Sequence, residues 1–86
     1  MPNIKQQEKR VRTAARERLE NLRYRSTVKT LTRRLESAIA DGDGDRVAAA
    51  HRDLQHWIDR AAARGALHRN AAARKKAQAA RLVSGR

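Results

Sequence analysis

From Gln6 to Ala40 the chain runs 35 residues without a glycine or a proline, and then the segment "DGDGD", Asp41 to Asp45, breaks the run. Helix-forming residues running this far without a breaker predict a long α-helix, ending where Gly42 can serve as the C′ residue. Beyond the break, Asp43 or Asp45 is a natural N-cap. Val47, Ala50, Leu54, Trp57, Ile58 and Ala61 then recur at spacings of three and four, one apolar stripe that stops at Gly65. A third helix starts between Leu67 and Ala71, with Asn70 as one possible cap, and runs to about Val83. No strand pattern or internal repeat intervenes. The pattern predicts an all-α fold, an antiparallel three-helix bundle with helices at about 6–40, 45–64 and 68–83, in one domain spanning 1–86.

The first helix cannot serve that bundle along its whole length. At 100° per residue, Tyr24, Val28, Leu31, Leu35, Ala38 and Ile39 share one face, whereas Val11, Ala15, Leu19 and Leu22 share another, turned by roughly 160°. It is also too long. At 1.5 Å per residue it reaches about 50 Å, against about 30 Å for the second helix. An extended, projecting N-terminal half is therefore expected, and it gains order when a partner covers it. The core itself is thin, because 17 of the 34 apolar residues are alanine and none is phenylalanine.

Charge is segregated along the chain. Residues 1–35 hold 11 Lys/Arg and 3 Asp/Glu, residues 36–59 hold 2 and 6, and residues 60–86 hold 8 and none, for a net charge of +12. A solvated face ordinarily mixes signs, because like charges at helical spacing repel. Two basic ends around an acidic middle point to a large polyanion, nucleic acid before membrane. On the third helix Ala73, Ala77, Ala80 and Ser84 form a smooth floor, with Arg69 and Lys76 along one side and Arg74 and Arg81 along the other. Two uses fit this floor: close approach to a phosphate ridge, or tight packing on the first helix while the cations snorkel outwards.

Other function classes find little support. The absence of cysteine removes disulfides, thiolate catalysis and zinc fingers. No apolar run is long enough for a membrane span, and residues 1–15 are charged where a secretory signal needs apolar residues, so a cytoplasmic protein is expected. "HRDL", His51 to Leu54, copies part of a kinase catalytic loop in a chain far too short for a kinase. "DGDGDR" begins like a calcium loop, but Arg46 stands where Gly is needed and Arg52 where a bidentate Glu is needed, which favours a cap and turn. His51 and His56 are five apart and poorly placed as paired metal ligands or as a general acid–base pair. No metal, cofactor, small-molecule substrate or catalytic residue is expected. Trp57 lies on the second helix's stripe, which favours core burial over base stacking.

The segment "GALHRNAAARKK" resembles the signature Gly-x-(Ile/Leu)-His-(Lys/Arg)-Asn-x-Ala-Ala-Arg-x-Lys of the bacterial small-subunit ribosomal proteins numbered twenty. "PNIKQQEKRVR" resembles that family's start through Asn3, Ile4, Lys5, Lys9, Arg10 and Arg12. "NLRYRSTVKT" resembles its Asn-x-x-x-(Lys/Arg)-Ser-x-x-Lys-Thr block through Asn21, Arg25, Ser26, Lys29 and Thr30. "DRAAARG" before the signature also fits, so collinear likeness covers nearly the whole chain. Glu17 and Glu20 depart from a stretch that is usually more basic, and Gln78 and Ala79 stand where a basic residue and a leucine are common.

The resemblance implies a three-helix bundle that binds 16S ribosomal RNA directly, early in assembly, in the RNA's 5′ domain and along its long penultimate helix, beside other small-subunit components. It also implies that the first and third helices face RNA, as the charge blocks do independently. Together they mark Asn3, Lys5, Lys9, Arg10, Arg12, Arg16, Arg18, Arg23, Arg25, Ser26, Lys29 and Arg33 in the first block. In the second they mark His68, Arg69, Asn70, Arg74, Lys75, Lys76 and Arg81, with His68 expected to contact RNA rather than to make only a structural hydrogen bond. The expected function is non-enzymatic: phosphate neutralisation that holds ribosomal RNA helices together, read by shape more than by base. A nucleoid-type protein that bends duplex DNA has equal support from size and charge, and the collinear motifs alone speak against it.

Overall fold

The computed structural model of the protein describes residues 4–85, so Asn3, expected at the RNA face, lies outside the described residues. Three helices follow one another: α1 over Ile4–Asp41, α2 over Gly44–Ala63 and α3 over Arg69–Ser84. Their bounds agree with the sequence pattern to within two residues. The two short connections turn each helix back along its predecessor.

Both turns are made by the same device. At the end of α1, Gly42 adopts φ +72° while its N–H donates to the Ile39 carbonyl and that of Asp43 to the Ala38 carbonyl. At the end of α2, Gly65 adopts φ +77°, its N–H donates to Ala62, and the N–H of Ala66 donates to Ala61 at 2.8 Å. These are Schellman turns, and their C′ residue needs the left-handed region that glycine reaches without a Cβ penalty. Space is not the constraint, since a Cβ at either glycine would meet nothing within 4 Å.

Helix starts settle the open capping choices. Asp43, rather than Asp45, caps α2, its carboxylate accepting from the N–H of Arg46 at 3.2 Å. Asp45 sits in the first turn instead, where a negative charge suits the helix dipole. At α3 the cap is His68 and not Asn70: the imidazole Nδ1 accepts from the N–H of Asn70 at 3.1 Å. Asn70 lies two residues too late, its backbone already helical.

The core lies between α1 and α2, with Leu35, Leu54, Ile58 and Val47 as its largest fully buried side chains and Val28, Leu31, Ala38 and Ala61 around them. α3 packs mainly on α2 and touches α1 little. Its buried residues are Ala72 and Ala79, small enough to bring its backbone close. Arg25 ties the third corner: its Nε donates to the Ala66 carbonyl at 2.9 Å, fastening the α2–α3 connection to α1.

N-terminal to this bundle α1 projects as the phase of its apolar residues demands. Every residue from Ile4 to Glu20 is exposed, and Val11, Leu19 and Leu22 keep 69%, 50% and 59% of their surface in water. The molecule measures 63 × 20 × 13 Å with a radius of gyration of 17.2 Å, against about 12 Å for a compact chain of this length. A lone helical stretch with no packing face is marginal in water. In the free protein, amide hydrogens over residues 6–20 are therefore expected to exchange almost unprotected, while those of Leu31 and Leu54 are slow. Addition of ribosomal RNA should slow the first group. Equal protection in both groups before RNA is added would show that the projecting half has another source of stability.

Candidate nucleic-acid interface

The cations of α1 are sorted by helical position. Lys5, Lys9, Arg12, Arg16 and Arg23 follow one another at intervals of four, three, four and seven, which places them within about 60° of arc. Arg18, Arg25 and Lys29 form a second row on the other side. Between the rows runs the exposed apolar strip of Ile4, Val11, Ala15 and Leu22. Arg10 and Arg33 stand outside both rows and are also exposed. Any groove wall or RNA strand lying on this helix meets an apolar floor with cations reaching round it.

Where α1 enters the bundle, its second row meets α3. Leu22, Arg25, Ser26, Val28, Lys29, Leu67 and Lys75 line one groove of about 340 Å³. Expected site residues 46 or more positions apart in the chain, Arg25, Ser26 and Lys29 on one side and Lys75 on the other, thus share a single concave surface. Arg25 is positioned there by its bond to Ala66, so one guanidinium both holds the corner and presents charge to it.

On α3 the alanine floor has the first of its two uses open to it. Ala73, Ala77, Ala80 and Ser84 are all exposed, and the packing seam runs instead through Ala72 and Ala79, with Val83 packed against the core. The floor does not lie on α1. Arg69, Arg74 and Arg81 are exposed beside it. Lys76 differs: it is half-buried and its Nζ donates to Asp59 of α2 at 2.9 Å, so this cation helps to join the two helices. A second ion pair, Arg46 with Asp41 at 2.8 Å, braces the α1–α2 turn. Both pairs draw their carboxylates from the acidic middle segment. His68 and Asn70 are exposed at the start of α3, and with Nδ1 accepting from Asn70 the neutral imidazole of His68 keeps Nε2–H as a donor.

The environment of Trp57 departs from the expectation of core burial. It packs against the core but is only half-buried, with Tyr24 at 5.9 Å between ring centroids, His56 edge-on at 6.1 Å and the Arg60 guanidinium 5.5 Å from the ring centre. Arg64, one turn on from Arg60, lines a groove with both rings. Arg60 and Arg64 were not among the cations expected to matter. The spacing 57, 60, 64 along one helix face was the signal available for them.

These features define a class: a strongly basic, elongated three-helix bundle with its cations displayed on the first and third helices. The chain belongs to the ribosomal protein S20 family, whose sequence profile matches residues 2–84. Among its relatives, the small ribosomal subunit protein bS20 of Kocuria rhizophila is 40% identical over 84 residues, 98% of each chain. That of Shouchella clausii is 38% identical over 85 residues, covering 99% of this chain and 97% of the relative. That of Heliobacterium modesticaldum is 42% identical over 78 residues, covering 91% and 89%.

The geometry separates cations that hold the fold from cations that only display charge. Arg25→Gln is expected to lower the free energy of unfolding by about 1 kcal/mol, the usual worth of one lost hydrogen bond. Arg74→Gln should stay within about 0.5 kcal/mol of the parent. Urea unfolding followed by circular dichroism measures both, and equal losses would contradict the assigned roles.

Proposed function

We propose that the protein is a structural constituent of the small ribosomal subunit that binds 16S ribosomal RNA directly and stabilises its folding and assembly by neutralising phosphates. The observation that carries this reading is the display of both basic blocks outside the core, along α1 and α3, with Arg25, Ser26, Lys29 and Lys75 converging on one groove. Most protein–nucleic acid hydrogen bonds go to phosphate and sugar, and long cations beside an alanine or apolar floor suit that contact. An extent of 63 Å lets one molecule touch RNA helices that lie apart. The family likeness supports the 5′ domain and the long penultimate helix as the RNA elements joined, with other small-subunit components as neighbours and the cytoplasmic ribosome as the location. The work is that of a brace and not of an enzyme. Lys5, Lys9, Arg10, Arg12, Arg16, Arg18, Arg23 and Arg33 supply charge along α1, Arg69, Arg74 and Arg81 supply it along α3, and Asn3, His68 and Asn70 offer polar contacts.

Membership of the small subunit is checked by sedimentation of the tagged protein from a cell lysate. Co-migration with the small subunit through a moderate salt wash is expected, whereas co-migration with DNA would favour a nucleoid protein. The electrostatic mechanism is checked by salt titration. With about six phosphates neutralised, affinity for duplex-like RNA should fall by about three orders of magnitude between 50 and 200 mM salt, and a flat titration would sink the mechanism. Arg74→Gln with Lys75→Gln should weaken binding far more than Arg46→Gln with Arg52→Gln. Lys76 is left in place because its pair with Asp59 would confound the comparison.

A further inference from the structure

On the side of α1 away from the Lys29–Lys75 groove, α1 and the C-terminal half of α2 enclose a second groove of about 360 Å³, lined by Glu20, Arg23, Tyr24, Thr27, Trp57 and Arg64. It contains the chain's only tryptophan and its only tyrosine. Their stripe neighbours Leu54, Ile58 and Leu35 are 0–2% exposed, yet both aromatic rings remain half-buried at the rim. The rings stand 5.9 Å apart and tilted by 51°, so they do not close on each other as a parallel stack. Arg60 lies 5.5 Å from the centre of the indole and is not among the groove's lining residues, so it polarises the ring without filling the space.

The chemistry of this groove matches one kind of occupant. Flat aromatic surface binds a planar π-system, and the guanidinium groups of Arg23 and Arg64, opposed by the single carboxylate of Glu20, bind an anion beside it. A nucleotide has both parts. Arg23 is also the last member of the row Lys5, Lys9, Arg12, Arg16 and Arg23, so a phosphate backbone following the projecting helix arrives at the groove's mouth. We propose that this groove is a binding site for one unpaired nucleotide of the bound RNA, with its base stacked on the Tyr24–Trp57 pair and its phosphate paired with Arg23 and Arg64. The site rests on the RNA-binding reading above and adds a base contact to an interface otherwise made with backbone. It accepts any base, because stacking on an aromatic ring is tolerant of sequence.

The single tryptophan reports on the site directly. The full-length protein is titrated with a seven-nucleotide single-stranded adenosine RNA, with an abasic strand of the same length and with a blunt RNA duplex, while indole fluorescence is followed. Quenching by the adenosine strand, and not by the other two, is the expected result. Arg64→Gln and Tyr24→Leu should each weaken that strand's binding by on the order of tenfold, whereas Arg52→Gln, which removes the same charge from α2, should leave it unchanged. Circular dichroism checks folding, and the exposed Arg64→Gln carries the test if Tyr24→Leu unfolds. Equal quenching by the abasic strand or the duplex would overturn the site and leave only charge. Retention of 16S ribosomal RNA on a filter with no change in fluorescence from the adenosine strand would overturn the site while the RNA-binding reading stands. Failure to retain any RNA would overturn both.

Discussion

The apolar stripe of α1 turns through roughly 160° near Leu22, and the rest of the structure depends on that turn. A straight helix presents one face to one neighbour, so Val28, Leu31 and Leu35 can bury against α2 only if Val11 and Leu19 point away from it. The bundle is confined to the C-terminal half of α1, and the other half becomes a projecting rod. The elongated shape, the exposed cation rows and the reach of the molecule follow from this change of phase together with the length of α1. Length acts in the same direction, because α2, with 20 residues against 38 in α1, is too short to cover the N-terminal half even if the stripe were uniform.

The second constraint is the supply of large apolar side chains. Leu35, Leu54, Ile58 and Val47, the largest fully buried side chains, lie on α1 and α2 and join them. α3 is left with Ala72 and Ala79 for its buried seam. Alanine buries little area but permits close approach, and the docking of α3 is completed by directional contacts. Lys76 with Asp59, Arg25 with the Ala66 carbonyl, and the Schellman turn at Gly65 supply them. Exposed ion pairs contribute little free energy individually. Their effect here is to set the position of a helix whose apolar seam is weak.

Charge segregation has a structural and a functional half. The carboxylates of the middle segment cap α2, brace the first turn and receive Lys76, so the acidic stretch works inside the fold. The basic ends are displayed outwards, and self-repulsion among their cations opposes compaction.

The three helices, their turns at Gly42 and Gly65, the projection of α1 and the basic character of its two ends were legible in the sequence. Each is governed by local periodicity, by a backbone angle that glycine adopts easily, or by counting charges. The cap of α3 was not, because His68 and Asn70 both carry side chains able to accept an N–H, and the path of the connection decides which is placed to do so. Lys76 as a link to Asp59, Trp57 at a rim and the meeting of Lys29 with Lys75 were equally hidden. A helical wheel places a residue on a face but does not say how far that face is rotated towards its neighbour. That rotation is set by side-chain packing between helices distant in sequence, and here small alanine seams and a few directional bonds fixed it in the tertiary structure alone.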